Sequence, residues 1–181
     1  MEEMKLCSVS DRYIDYLRGH IAGVYSNKEG TRTHTRKYLG VVYTLNDYNY
    51  YIPLSSPKET DYEKKDGKKI IRKSRIPIMR IVVKNDSGED ELKGTLRLSH
   101  MIPVPSSELE LYDVDAELDS NYKDLVMKEI IFIRKNKDKI KKNAALLYKQ
   151  KCENYNTGYI KTVLDFKILE QKLEDFIKEI V

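Results

Sequence analysis

Tyr38-Leu39-Gly40-Val41-Val42-Tyr43-Thr44-Leu45, then Asn46-Asp47, then Tyr48-Asn49-Tyr50-Tyr51-Ile52-Pro53-Leu54-Ser55, closed by Ser56-Pro57-Lys58, reads in order as a hairpin and its exit. Aromatic and β-branched residues fill both arms, and the Asn-Asp pair between them tolerates the left-handed backbone of a tight turn. Antiparallel pairing lays the start of one arm beside the end of the other. The polar segment Thr31-Arg32-Thr33-His34-Thr35-Arg36-Lys37 is therefore expected at the same end of the sheet as Ser55-Ser56-Pro57-Lys58. Pro57 fixes φ and removes a donor, so the chain turns there and leaves two hydroxyls and an ammonium at a strand end, a set that suits a phosphate. The same residue types also make ordinary strand-to-loop transitions.

Outward from the hairpin, Lys5 to Val9 reads as a first strand. Ser10 caps a helix from Asp11 to about Arg18 that ends at Gly19 and buries Tyr13, Ile14 and Leu17. His20 to Lys37 reads as loop. Glu59 to Arg75 has no clear apolar period and is expected to be a long, mobile excursion. Ile76 to Lys84 and Lys93 to Leu98 resume strand patterns through the turn Asn85-Asp86-Ser87-Gly88. Met101-Ile102-Pro103-Val104-Pro105 should interrupt pairing, because each proline lacks a ladder donor. Leu109, Leu111 and Val114 suggest an edge strand.

The period then changes to that of helices. Ser120 or Asn121 caps the first, with Leu125, Met127, Ile130, Ile131 and Ile133 on its apolar face. The second spans Lys137 to Cys152, with Ile140, Ala144, Leu147 and Tyr148 inward. The third opens at Asp165 and uses Phe166, Leu169, Leu173, Phe176, Ile177 and Ile180. Strands followed by helices predict an α+β fold, an antiparallel sheet flanked by helices, and 181 residues predict one domain over 1–181.

Lysine and arginine total 33 against 29 acidic residues, so net charge is modest and its distribution carries the information. Lys58, Lys64, Lys65, Lys68, Lys69, Arg72, Lys73, Arg75, Arg80 and Lys84 form one basic stretch; Arg134 to Lys151, including Lys141, forms another. A polyanion is the natural partner, with solvated charged segments as the alternative. Cys7 and Cys152 have neither disulfide-framework nor zinc spacing, and His20, His34 and His100 have no mutual ligand spacing, so neither metal nor cofactor is expected. No apolar run approaches the roughly 20 residues of a membrane span, and Met1-Glu2-Glu3-Met4-Lys5 lacks a secretion-signal layout. A cytoplasmic protein is expected. No nucleophile elbow surrounds any serine.

Metal-free RNA cleavage is the chemistry that remains. The 2′-hydroxyl of the substrate is the nucleophile, so the protein must move protons and stabilise charge at phosphorus. Lys, Arg and hydroxyl groups meet the electrostatic need: Arg36, Ser55, Ser56 and Lys58, with Arg32, His34 and Lys37 nearby. Some of the fourteen tyrosines could stack on bases, although most suit a strand or core environment. A non-catalytic RNA-binding module and a helix-rich interaction protein are the other readings.

Five segments in order give the chain a resemblance: Ser10-Asp11-Arg12-Tyr13-Ile14-Asp15-Tyr16-Leu17, Arg36-Lys37-Tyr38-Leu39-Gly40-Val41, Tyr51 to Lys58, Met101 to Pro105, and Tyr122-Lys123-Asp124-Leu125 continuing to Phe132-Ile133. Over almost its whole length it resembles the ToxN/AbiQ-like endoribonuclease toxins of bacterial type III toxin–antitoxin systems. The resemblance implies a strongly twisted antiparallel sheet flanked by helices, akin to Kid/MazF toxins. It also implies a sequence-selective, metal-independent RNase that acts on cellular or phage RNA. Such a toxin is inhibited by a small structured antitoxin RNA, a pseudoknot repeat that it cuts from a precursor and with which it closes into a ring of protein and RNA. The family's catalytic segment falls on Ser55, Ser56 and Lys58, and its basic residue before the second strand on Arg36. A family tyrosine position falls near Arg32, and His100 gains no role as a base. RNA contact is expected from Arg32, His34, Lys37, Lys64, Lys65, Lys68, Lys69, Arg72, Lys73, Arg134 and Lys141.

Overall fold

A computed structural model describes residues 4–28, 33–45 and 47–181. The hairpin is its spine. Strands β2 (Tyr38–Leu45) and β3 (Tyr48–Ser55) pair antiparallel from Tyr38 opposite Pro53 to Leu45 opposite Tyr48, and Asp47 turns with φ of 70°. A register shift between Leu39 and Tyr43 bulges β2, a defect that sharpens local twist. On its other side β2 pairs with β1 (Leu6–Val9), where Gly40 donates to the Lys5 carbonyl at 2.8 Å. A Cβ at Gly40 would lie 2.8 Å from the Tyr51 ring, so this crossing needs glycine.

β1 carries β9 (Leu109–Leu111) at the sheet edge, as the sequence suggests. β3 divides its far side between two partners. Its Tyr50–Tyr51 half pairs with β8 (Ile102–Pro103), and its Leu54–Ser55 end pairs with β7 (Asp90–Leu96), which in turn pairs with β6 (Met79–Lys84). The mixed α/β architecture with one main antiparallel sheet agrees with the expected class.

Several local expectations need correction. The segment 59–75 contains regular structure. Glu59–Asp61 makes a 3₁₀ turn, then β4 (Tyr62–Lys65) and β5 (Lys68–Ile71) form a separate two-stranded ribbon through Asp66 and Gly67, with φ of 50° and 75°. Left-handed conformation at both turn residues matches the twist of a two-residue hairpin, and Asp-Gly is a strong signal for it. β6 starts only at Met79, because Arg75 and Ile78 exchange hydrogen bonds in a tight turn around Pro77. β7 begins at Asp90 and stops at Leu96, and Leu98–His100 forms a 3₁₀ turn. Pro103 does pair with β3, contributing acceptors only; its carbonyl also receives the Tyr13 hydroxyl at 2.8 Å.

The helices are α1 (Asp11–His20), α2 (Ser120–Lys135), α3 (Lys137–Cys152) and α4 (Phe166–Ile180). Ser10 caps α1, which runs through Gly19 instead of ending there. The α2 cap is Asp119, which accepts from the Asn121 and Tyr122 amides, one residue before the expected position. Its inward face is Val126, Glu129 and Ile133 with Ile130 partly covered, while Met127 and Ile131 point out; adjacent apolar residues cannot share one helix stripe. α3 buries Ile140, Ala144, Leu147 and Tyr148 as expected, and α4 buries Phe166, Leu169, Leu173 and Phe176 but exposes Ile177 and Ile180.

α4 is tied to the sheet by the buried Glu170 carboxylate, which accepts from Tyr50 at 2.8 Å and Tyr148 at 2.5 Å and pairs with Lys167. Among the described residues, no helix is long and apolar enough to cross a membrane.

Candidate active site

The antiparallel register brings the residue before β2 to the end of β3. Leu54 donates its amide to the Lys37 carbonyl at 2.9 Å, and Arg36 reaches Ser55: its Nη1 donates to the Leu54 carbonyl and to Ser55 Oγ, each at 2.9 Å. Arg36 Nε donates to the Ser26 carbonyl at 3.0 Å, and the Arg36 amide donates to the Asn27 carbonyl. Although polar, Arg36 is only 2% exposed. A buried guanidinium needs this many acceptors, and here they are mostly carbonyls. The positive charge is therefore fixed immediately behind the strand end.

Tyr25 is the centre around which the site assembles. Its ring centroid lies 4.7 Å from Arg36 Cζ, 6.0 Å from Lys58 Nζ and 4.3 Å from the His100 ring, which stacks on it at 10°. Ser55 is buried, whereas Ser56 and Lys58 are exposed. His100 shares a hydrogen bond between Nδ1 and Ser99 Oγ at 2.8 Å. Burial, followed by the charges of Arg97, Arg36 and Lys58, pushes the His100 imidazole down to about 4. It is neutral at physiological pH.

Lys58 is held from below. Its amide donates to Asp61 Oδ2 at 2.9 Å, and the buried Asp61 carboxylate also pairs with Arg80 at 3.1 Å and Arg97 at 3.4 Å. Three cations and one shielded carboxylate leave a positive field at the margin where Ser56 and Lys58 reach solvent.

Lys37, one residue beyond Arg36, enters a different cluster. Its ammonium sits 4.0 Å from the Tyr112 centroid and 4.1 Å from that of Tyr122, and it bonds to the Tyr122 hydroxyl. His34 stacks on Tyr122 at 3.7 Å and 3°, with Nε2 3.6 Å from Asp119. Lys37 is buried and His34 is partly exposed, so this cation lies inside an aromatic box while the His34 stack forms part of its outside.

Of the residues singled out in the sequence, the structure therefore brings Arg36 and Lys58 to one ring, bonds Ser55 to Arg36 and leaves Ser56 exposed next in the chain. Lys64, Lys65, Lys68, Lys69, Arg72 and Lys73 are all exposed on or next to the β4–β5 ribbon. Lys141 is exposed on α3. Arg134 lines a mostly apolar cleft of about 350 Å³ with Leu6, Leu39, Leu111, Ile130 and Ile133, a feature the site does not use. Arg32 lies outside the described residues. Sequence reasoning missed Tyr25, Asp61 and Arg97, and considered His100 only as a metal ligand or a base, roles it set aside. Tyr25 sits in a segment read only as loop, and the Asp61 contacts come from residues 19 and 36 positions away. Among the described residues, no group of three or more His, Cys, Asp or Glu could hold a metal ion.

Comparison with known proteins adds three findings. The family model described as Toxin ToxN, type III toxin–antitoxin system, matches residues 5–174. Endoribonuclease AbiQ of Lactococcus lactis subsp. lactis is 31% identical over 176 residues, covering 97% of this chain and 91% of that protein; endoribonuclease ToxN of Pectobacterium atrosepticum is 28% identical over 176 residues, covering 97% and 95%. A solved structure from work on type III toxin–antitoxin systems, reporting selective toxin inhibition by a non-coding RNA pseudoknot, superposes with a TM-score of 0.75 at 25% identity and covers 97% of this chain and 98% of its own.

Proposed function

Because the chain belongs to the ToxN family of type III toxin–antitoxin toxins, we propose that it is an endoribonuclease toxin held inactive by a small structured RNA, and that it cuts at the strand end where Arg36, Ser55, Ser56 and Lys58 meet. The observation that carries this reading is the placing of Arg36 and Lys58 at the Tyr25 ring, with Ser55 hydrogen-bonded to Arg36. The relatives named as endoribonucleases cover nearly the full length of the chain, and the pseudoknot-inhibited toxin shares its fold.

The 2′-hydroxyl of the substrate attacks the adjacent phosphorus, the P–O5′ bond breaks, and the products carry a 2′,3′-cyclic phosphate and a 5′-hydroxyl. Neither metal nor cofactor takes part. Charge grows on the phosphorane oxygens, and preorganised cations at such a point are worth most in a site that excludes water. Lys58 supplies the exposed cation. Arg36 acts from behind the strand: by donating to Ser55 Oγ it occupies one of that oxygen's two lone pairs and leaves the Ser55 O–H as a donor. Ser56, supported by Ser55, positions the scissile phosphate and takes part in proton transfer.

The partner is an antitoxin RNA with a pseudoknot repeat, which the toxin cuts from its precursor and with which it closes into a ring of several protein and RNA subunits. Cellular or phage RNAs are the cytoplasmic targets. Lys64, Lys65, Lys68, Lys69, Arg72 and Lys73, with Arg134, Lys141 and His34, supply the RNA-facing surface, and Lys37 stiffens the aromatic platform behind His34.

Ser56→Ala and Lys58→Ala should each lower cleavage by about 10² or more with unchanged circular dichroism. Cleavage by the unaltered chain should continue in EDTA and leave cyclic-phosphate ends. Full activity in both variants would remove the proposed site, and RNA binding with no cleavage by the unaltered chain would reduce it to an RNA-binding module.

A further inference from the structure

The β4–β5 ribbon has a charge arrangement that works against its own folding. Its register sets Lys64 directly opposite Lys69 and Lys65 directly opposite Lys68. Like charges facing each other across an antiparallel pair are destabilising, and an isolated two-stranded hairpin is marginal to begin with. Among the described residues, neither strand pairs with the main sheet. All four lysines are exposed; Lys69 pairs with Glu59 and lies over Tyr62, and Glu63 pairs with Arg72 near the base.

Alternation along the strands decides what such a ribbon fits. Tyr62, Ile71, Lys64 and Lys69 share one face, and Glu63, Ile70, Lys65 and Lys68 share the other. The outer half is thus basic on both faces. A flat anionic surface would neutralise one face only, whereas a groove walled by phosphates on both sides neutralises both. The ribbon base is anchored where Arg72 donates its amide to the Asp61 carbonyl, and Asp61 is the residue that holds Lys58. Four strand residues at about 3.3 Å each put the lysines within about 13 Å of that anchor.

We propose that the β4–β5 ribbon seats across the mouth of the major groove of base-paired RNA, its lysines bridging the two phosphate rows, and so delivers folded RNA to the Lys58 margin. The contact is to phosphates and is blind to sequence, because an A-form major groove is too deep and narrow to admit side chains to the bases but brings its two phosphate rows close together across its mouth. This rests on the chain being an RNA-directed toxin, and it assigns the ribbon to paired rather than single-stranded RNA.

The test replaces Lys64, Lys65, Lys68 and Lys69 together by Thr, which removes the repulsion and keeps β-compatible residues. The probes are a 2′-O-methyl RNA duplex and an unstructured 2′-O-methyl strand; neither can be cut by 2′-hydroxyl attack, so binding is read apart from cleavage. Duplex affinity at 0.15 M salt should fall at least tenfold and its log–log salt slope should become shallower by about 3, while single-strand affinity changes less than threefold. Because both probes resist cutting, binding by the ribbon is read whether or not Ser56 and Lys58 cleave, so a failure here is separable from a failure there. Equal losses on both probes, or an unchanged duplex affinity, would overturn the proposal. Loss of the RNA that co-purifies with the unaltered chain would identify the antitoxin as the paired RNA; its retention, with slower cutting of structured targets, would identify the substrate.

Discussion

Asp61 and His100 show how single residues set the properties of the site. Asp61 is the counter-charge for the buried Arg80 and for Arg97, so Asp61→Asn leaves two cations in a poorly solvated position and loosens the Lys58 turn. Removing one partner of a buried pair costs about 3–5 kcal/mol. The urea midpoint should fall accordingly, and cleavage should drop even at urea concentrations where the variant stays folded. His100 makes stability depend on pH. Its folded value is depressed to about 4 by burial and by Arg97, Arg36 and Lys58, below the ordinary value of about 6.5. The unfolded chain therefore takes up the proton first. Stability from the neutral imidazole is complete above pH 6.5 and is lost as pH falls toward 4, on the order of 2 kcal/mol between pH 7 and pH 5. Urea unfolding at those two pH values should show this slope, and His100→Gln should flatten it. An equally steep fall in the Gln variant would assign the pH dependence to other groups.

The elements differ in how plainly the sequence declares them. The β2–β3 hairpin was legible because its apolar pattern, its turn and its strand-end polar residues all agree. That agreement also foretold the meeting of Arg36 with Ser55, since register alone sets it. The β4–β5 ribbon was not legible, since lysines occupy the positions where apolar alternation would announce a strand and only Asp66-Gly67 signals the turn. Tyr25, which comes to the site from a segment without regular structure, and Asp61, whose partners lie across the fold, depend on tertiary contacts that no local pattern carries. The turn can be tested directly. Gly67 has φ of 75° and open space where a Cβ would stand, so Gly67→Ala changes only backbone preference. About 1 kcal/mol of strain should result. Amide exchange should quicken in residues 62–71 while global stability stays within a few tenths of a kcal/mol, because the ribbon is outside the main sheet. A matching loss of global stability would mean that the ribbon is part of the cooperative core.

At the scale of the molecule, early and late parts of the chain are interlocked. β1 lies between β2 and β9, Arg12 and Ser10 bond to the buried Glu108, and the Tyr16 hydroxyl donates to the Lys172 carbonyl at 3.1 Å across 156 residues. β3 holds β2, β7 and β8 at once, and Glu170 fastens α4 to Tyr50 on that same strand. Removing β1 strips a partner from β2 and from β9, and removing β3 strips one from β2, β7 and β8. The proposed single domain over 1–181 therefore predicts one cooperative transition outside the ribbon. Helical circular dichroism and tyrosine fluorescence, which sample α2–α4 and the aromatic sheet respectively, should give the same urea midpoint. Glu170→Leu should lower both midpoints together, by about 1–3 kcal/mol, since it leaves the Tyr50 and Tyr148 hydroxyls without their buried acceptor. If the helical signal melted first in that variant while the tyrosine signal kept its midpoint, the C-terminal helices would form a separate unit and the one-domain reading would be wrong.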